Sequence, residues 1–82
     1  MNPQTVVMPR LGEDMQHGMI VEWLKKEGER IEKGDILLRV ETGKVTVDVE
    51  ARVAGALSKI LAPVRSEIPV GDPICIMELE AT

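Results

Sequence analysis

Aromatic side chains are almost missing from this chain of 82 residues: there is no Phe, no Tyr and one Trp, Trp23. The core must therefore be assembled from Val, Ile, Leu, Met and Ala, and there is no stacking platform for nucleic-acid bases. Ten basic residues stand against 14 acidic ones, a net charge of −4, and the basic ones are scattered along the chain. A nucleic-acid interface needs them gathered on one face, so no nucleic-acid partner is expected. Cysteine is equally scarce. Cys75 is alone, so no intramolecular disulfide can form, which is compatible with a reducing compartment. His17 is the single histidine. One imidazole, one thiol and no phenol leave little from which to build a nucleophile–base pair or a metal site. The chain is expected not to be an enzyme by itself, with no catalytic residue and no metal ligand. A long apolar run that could span a membrane is also missing, as are a charged-then-apolar leader and any helical period with caps. No membrane association is expected, and the isolated chain is expected to be a monomer.

What the sequence does contain is alternation. Ile36, Leu38 and Val40 are interleaved with Leu37, Arg39 and Glu41; Val45, Val47, Val49 and Ala51 are interleaved with Thr46, Asp48 and Glu50. Period-two patterns rich in β-branched residues are half-buried strands. The break between them, Thr42-Gly43-Lys44, makes the pair a β-hairpin. Its register follows from matching the apolar faces, because a one-residue slip would turn one strand's apolar face outward. Two-residue hairpin loops need a positive backbone angle at the first central residue, and only Gly43 accepts it freely. A type II′ turn centred on Gly43 and Lys44 is predicted. It sets Val40 opposite Val47, Leu38 opposite Val49 and Arg39 opposite Asp48, and places Lys44 on a tight, exposed tip.

The remainder reads as further short strands: Thr5 to Met8, Met19 to Lys25, Arg30 to Glu32, Ala56 to Ala62, Ile68, and Pro73 to Leu79. Turns fall at 27–29, 33–35, 63–67 and 70–72. Residues 9–17 form a polar loop that includes His17. About eight short strands separated by turn signals make an all-β sandwich or barrel. An internal repeat runs at a constant offset of 37 residues: Gly18 with Gly55, Leu24 with Leu61, Ile31 with Ile68, Gly34-Asp35 with Gly71-Asp72, Glu41 with Glu78. Two copies of one unit predict a domain of two equivalent halves. The hairpin tip and the chain ends then occupy equivalent places. Trp23 aligns with Ile60 and Cys75 with Leu38, so both are expected in the packing. A solvated hairpin lysine is the plain reading of Lys44; its context alone does not assign it a role.

The ordered set of short motifs resembles the lipoyl domains of 2-oxo acid dehydrogenase complexes, within the biotin/lipoyl attachment family, over nearly the whole length. The matching features include Met8-Pro9 with Leu11-Gly12-Glu13, Gly18-x-Ile20-Val21-x-Trp23, Glu32-Lys33-Gly34-Asp35, Glu41-Thr42-Gly43-Lys44-Val45 and Val70-Gly71-Asp72. The resemblance implies a flattened barrel-sandwich of two four-stranded antiparallel sheets with pseudo-two-fold symmetry. It implies one lipoyl domain over 1–82, with 80–82 a possible start of a linker. It further implies lipoic acid amide-linked to Lys44, as a swinging arm that carries acyl groups and reducing equivalents. The implied partners are a lipoylating enzyme, a thiamin-diphosphate-dependent dehydrogenase component (E1) that reductively acylates the dithiolane, the acyltransferase (E2) and dihydrolipoamide dehydrogenase (E3). By the same resemblance Glu41, with Thr42, Gly43 and Val45 around the lysine, meets the lipoylating enzyme. Leu11, Gly12, Glu13 and Asp14 form the loop recognised by the dehydrogenase. A bacterial cytoplasm, or a mitochondrial matrix, is the implied compartment. The chain departs from the family in having Gly43 where Asp usually precedes the lysine; the turn accepts Gly, while a ligase that reads the Asp would not find it. A biotinyl carrier shares the fold, but its lysine has Met on both sides. An unmodified adaptor module is the third reading, and such a module would be expected to lose the tip lysine.

Overall fold

The computed structural model describes residues 2–79, and every regular element among them is a strand. The strands are β1 (Asn2–Val7), β2 (His17–Trp23), β3 (Arg30–Ile31), β4 (Ile36–Glu41), β5 (Thr46–Glu50), β6 (Gly55–Ile60), β7 (Glu67–Pro69) and β8 (Pro73–Leu79). They form two four-stranded antiparallel sheets, in the orders β1-β8-β6-β3 and β5-β4-β2-β7. The expected fold class is the observed one. Several strand boundaries differ from the sequence reading by one to three residues, and two of the differences have a cause in pairing. β1 begins at Asn2 rather than Thr5, because β8 continues to Leu79 and pairs with it throughout. His17 opens β2 instead of closing the loop, because its backbone pairs with Pro69 of β7. Residues 80–82, where a linker was expected to begin, lie outside the described residues.

The two halves correspond strand by strand along the repeat. β2, β3 and β4 correspond to β6, β7 and β8, and the edge strands β5 and β1 close the two sheets in equivalent places. Even the irregularities recur. The β2–β4 ladder shifts register between Ile20 and Glu22, and the β6–β8 ladder between Leu57 and Lys59. The β4–β5 ladder shifts between Ile36 and Leu38, and β8 does so against β1 between Pro73 and Cys75. Leu24 N–H donates to the Leu37 carbonyl at 2.8 Å, and Leu61 N–H to that of Ile74 at 2.9 Å. These bulges bend and twist the strands, which lets two short sheets wrap one small core.

That core is apolar throughout: no polar or charged residue is buried among those described. Ile20, Leu38 and Val40 come from the sheet that bears the hairpin, and Leu57, Cys75 and Met77 from the other. Leu37 and Ile74, at the bulges, turn inward as well, although alternation along each strand would point them out. Each fully buried aliphatic side chain contributes about 1.5–3 kcal/mol over its exposed state. Trp23 is half-buried at the edge of this cluster, and its indole N–H donates to the Ala62 carbonyl at 2.8 Å, tying β2 to the end of β6. A Cβ at Gly55 would collide with the Glu78 carbonyl, so only glycine lets β6 lie this close to β8.

Candidate functional site

The hairpin has the predicted register. Arg39 lies opposite Asp48, Val40 opposite Val47 and Glu41 opposite Thr46. On its outer face the Arg39 guanidinium meets Asp48 at 3.2 Å on one side and Glu22 at 3.4 Å on the other, lacing β5, β4 and β2 together. Exposed pairs of this kind are worth little singly; they mark register more than they hold it. Gly43 has φ +97°, and Lys44 is not among the residues with positive φ. This separates the turn from type I′ and agrees with glycine at the first central position of type II′. The turn is closed by Thr42. Its N–H donates to the Val45 carbonyl at 3.0 Å, its hydroxyl donates to the same oxygen at 3.1 Å, and Val45 N–H points back to Oγ1 at 3.5 Å. Thr42 is accordingly half-buried, whereas Glu41, Gly43, Lys44 and Val45 are exposed.

Among the described residues none forms an ion pair or hydrogen bond with the Lys44 ammonium, and none with the Glu41 carboxylate. The concavity lined by Glu41, Gly43, Lys44, Val45 and Thr46 measures about 290 Å³ and is open to solvent. The tip therefore presents an amine rather than enclosing a substrate. Val45, at 58% exposure, adds an apolar contact beside it.

The second group of site candidates, Leu11 to Asp14, forms a loop between β1 and β2. Gly12, Glu13 and Asp14 are exposed; Leu11 packs against the core. Leu11 also lines, with Asp48 and Val49, the groove between edge strands β1 and β5. The loop thus stands beside the outgoing strand of the hairpin, and no hydrogen bond or ion pair joins it to the tip. Sequence reasoning overlooked Met15. It reads as a lone apolar residue in a polar stretch, yet it is 4% exposed; that isolation was the available signal.

The remaining reactive groups stand apart. His17, on β2, faces Glu67 at 3.4 Å in the open. Cys75 is fully buried, and burial pushes its thiol up to about 11, so the thiolate that would be the nucleophile is not available near neutral pH. Among the described residues no group of His, Cys, Asp or Glu could hold a metal ion. Among the described residues no helix is long and apolar enough to cross a membrane.

Comparison with known proteins adds to this geometry. The family model described as "Biotin-requiring enzyme" matches residues 4–77. The chain is 37% identical over 79 residues to the dihydrolipoyllysine-residue acetyltransferase component of the pyruvate dehydrogenase complex of Rickettsia prowazekii, covering 95% of this chain and 19% of that protein. It is 45% identical over 78 residues to the mitochondrial pyruvate dehydrogenase complex protein X component of Chaetomium thermophilum, covering 94% and 18%. The chain thus spans about a fifth of the length of these relatives. Among solved structures, the lipoyl domain of the 2-oxoglutarate dehydrogenase complex from Azotobacter vinelandii matches with a TM-score of 0.77 at 22% identity, covering 94% of this chain and 98% of that one. A single-chain, multi-domain long-chain acyl-CoA carboxylase matches with a TM-score of 0.79 at 19% identity, covering 98% of this chain and 7% of that one. At such identities these two structures speak for the fold alone.

Proposed function

The chain belongs to the biotin/lipoyl attachment family, and from that premise we propose that Lys44 carries an amide-linked lipoyl group and that residues 1–82 act as the carrier domain of a 2-oxo acid dehydrogenase-type complex. The observation that carries this reading is the Lys44 amine itself: exposed, without a partner among the described residues, and centred on a two-residue turn closed by Thr42. Such an amine can enter a ligase's site without breaking any contact of the domain. The names of the relatives favour lipoate over biotin, since the Rickettsia protein is named for its dihydrolipoyllysine residue. Gly43 and Val45 beside the lysine favour it too, because the biotinyl pattern has Met there.

The bound group supplies the acyl-transfer and redox chemistry; the protein supplies presentation and recognition. Glu41, Thr42, Gly43 and Val45 form the surface a lipoylating enzyme meets. With no side chain at Gly43, that enzyme reads the shape of the turn and the Glu41 carboxylate. The loop Leu11–Asp14 is the face offered to the thiamin-diphosphate-dependent dehydrogenase (E1). An acyltransferase (E2) and dihydrolipoamide dehydrogenase (E3) complete the cycle. The chain itself does no catalysis in this reading, and works in a bacterial cytoplasm or a mitochondrial matrix.

Intact mass after co-expression with a lipoylating enzyme and lipoate tests the proposal. One lipoyl adduct is expected, absent in Lys44→Gln. A biotin adduct, or an unmodified chain with several lipoyl ligases, overturns it.

A further inference from the structure

Two backbone groups and one guanidinium of the loop after β1 converge on Met15. The Met15 carbonyl accepts from Arg10 Nη1 at 2.6 Å, the Met15 N–H donates to the Gly12 carbonyl at 3.1 Å, and the Met15 Sδ accepts from the Leu11 N–H at 3.2 Å. The side chain then descends into the core, while Gly12, Glu13, Asp14 and Gln16 on either side remain exposed. It occupies space that exists because residue 18 has no side chain. A Cβ at Gly18 would stand 2.9 Å from Met15 Cε and 2.5 Å from Val40 Cγ1. Both distances are too short for real atoms, so Met15 Cε and Val40 Cγ1 both occupy the space over the bare glycine backbone. Val40 belongs to β4, two residues before Thr42, and is fully buried. One residue is thus bonded within the loop and shares the space over Gly18 with the strand that leads into the lysine tip.

We infer that Met15 is a positioning residue: it pins the loop Leu11–Asp14 in one orientation relative to the hairpin that bears Lys44, so that a partner can read loop and lysine together. This rests on the proposed role of the loop in recognition by the dehydrogenase component. Met is suited to the task. Its unbranched chain fills an irregular gap, and its sulfur is the acceptor for the Leu11 N–H. A misplacement of about 1 Å far from the chemistry can cost on the order of 10²-fold in rate, and a loop that is loosened rather than displaced is expected to cost less, about tenfold.

The test uses the whole chain, lipoylated and checked by mass, as substrate for pyruvate, 2-oxoglutarate and branched-chain dehydrogenase components, each with its own 2-oxo acid. For whichever component acylates the wild type, Met15→Ala is expected to be lipoylated as fully as wild type. Its kcat/KM is expected to fall about tenfold, carried by KM, and Met15→Leu, which refills the gap, is expected to recover most of the loss. The amides of Leu11 and of residue 15 should exchange faster in Met15→Ala while those of Val40 and Val47 keep their protection. Unchanged kcat/KM in Met15→Ala overturns the inference, as does equal loss of lipoylation and acylation, which is a folding fault. If no component acylates the wild type, the carrier reading fails instead. The exchange data then decide alone: unchanged exchange at the amides of Leu11 and residue 15 overturns the pinning, and faster exchange upholds it.

Discussion

Asp35 shows how much one side chain does at a turn of this fold. Its carboxylate accepts the Glu32 N–H at 2.8 Å and faces the Lys25 ammonium at 3.5 Å. The backbone hydrogen bond is the main reason that its pKa lies below the ordinary 3.8; partial desolvation opposes it, and the Lys25 charge assists. A lowered folded-state pKa gives stability that is present above the unfolded value and lost as pH falls through the folded one. Asp35→Asn is therefore expected to melt lower than wild type at pH 7, with the difference closing below about pH 4. Melting curves across that range check it, and a difference independent of pH would refute it. Arg65 is the one described non-glycine residue with positive φ, at 77°, and stands where Gly28, φ 89°, stands in the other half. Left-handed backbone costs an L-residue about 1–2 kcal/mol, whereas glycine costs about 0.5–1 kcal/mol in chain entropy. Arg65→Gly should thus stabilise by up to about 1 kcal/mol, the difference between those two costs, and Gly28→Ala should destabilise. Denaturant titration of both decides. The Arg65 conformation was not legible in the sequence, because nothing local in Pro63-Val64-Arg65-Ser66 demands it; the repeat alone could have hinted at it.

At the scale of the element, the hairpin β4–β5 was the most legible part of the molecule. Its alternation is strict, its turn holds one glycine, and its partner strand is adjacent in the chain, so local rules suffice. Gly43→Val places a β-branched side chain at φ +97° and is expected to cost about 1–3 kcal/mol and to loosen the ends of the ladder near Thr42 and Val45. A Cβ there meets nothing within 4 Å, so the whole effect is conformational. Unchanged stability would remove the II′ assignment. Where strands are short, legibility fell. β2 carries apolar residues on both faces because it bulges at Val21, and a bulge is decided by the partner strand across the sheet. The turn before β8 shows the reverse. Pro69 stands where Glu32 stands in the first half, and proline has no N–H, so the Glu32–Asp35 bond has no counterpart at Asp72.

For the whole molecule the two-fold relation makes a further prediction. Asn2 and Leu79 lie opposite one another at the end of the β1–β8 ladder, in the place the tip holds in the other half. A circular permutant with its ends joined by a short linker and the chain reopened between Gly43 and Lys44 should keep both sheets and unfold cooperatively. Joining nearby ends and cutting an exposed loop tip leaves buried backbone pairing intact. Loss of cooperative unfolding would mean that the continuous hairpin, not the symmetric core, organises the fold.

The sequence by itself determined the strand inventory, the hairpin register, the turn at Gly43-Lys44 and the equivalence of the halves. The first three follow from alternation and turn chemistry within a few residues, which the chain encodes locally, and the equivalence of the halves follows from the repeat at an offset of 37 residues. The tertiary structure alone decided that β1 runs the length of β8, that Leu37 and Ile74 turn inward at the bulges, and that the space over Gly18 is filled by Met15 and Val40. These depend on atoms brought together from different parts of the chain, as Met15 and Val40 are over Gly18, where close packing fixes what fits and no local pattern records it.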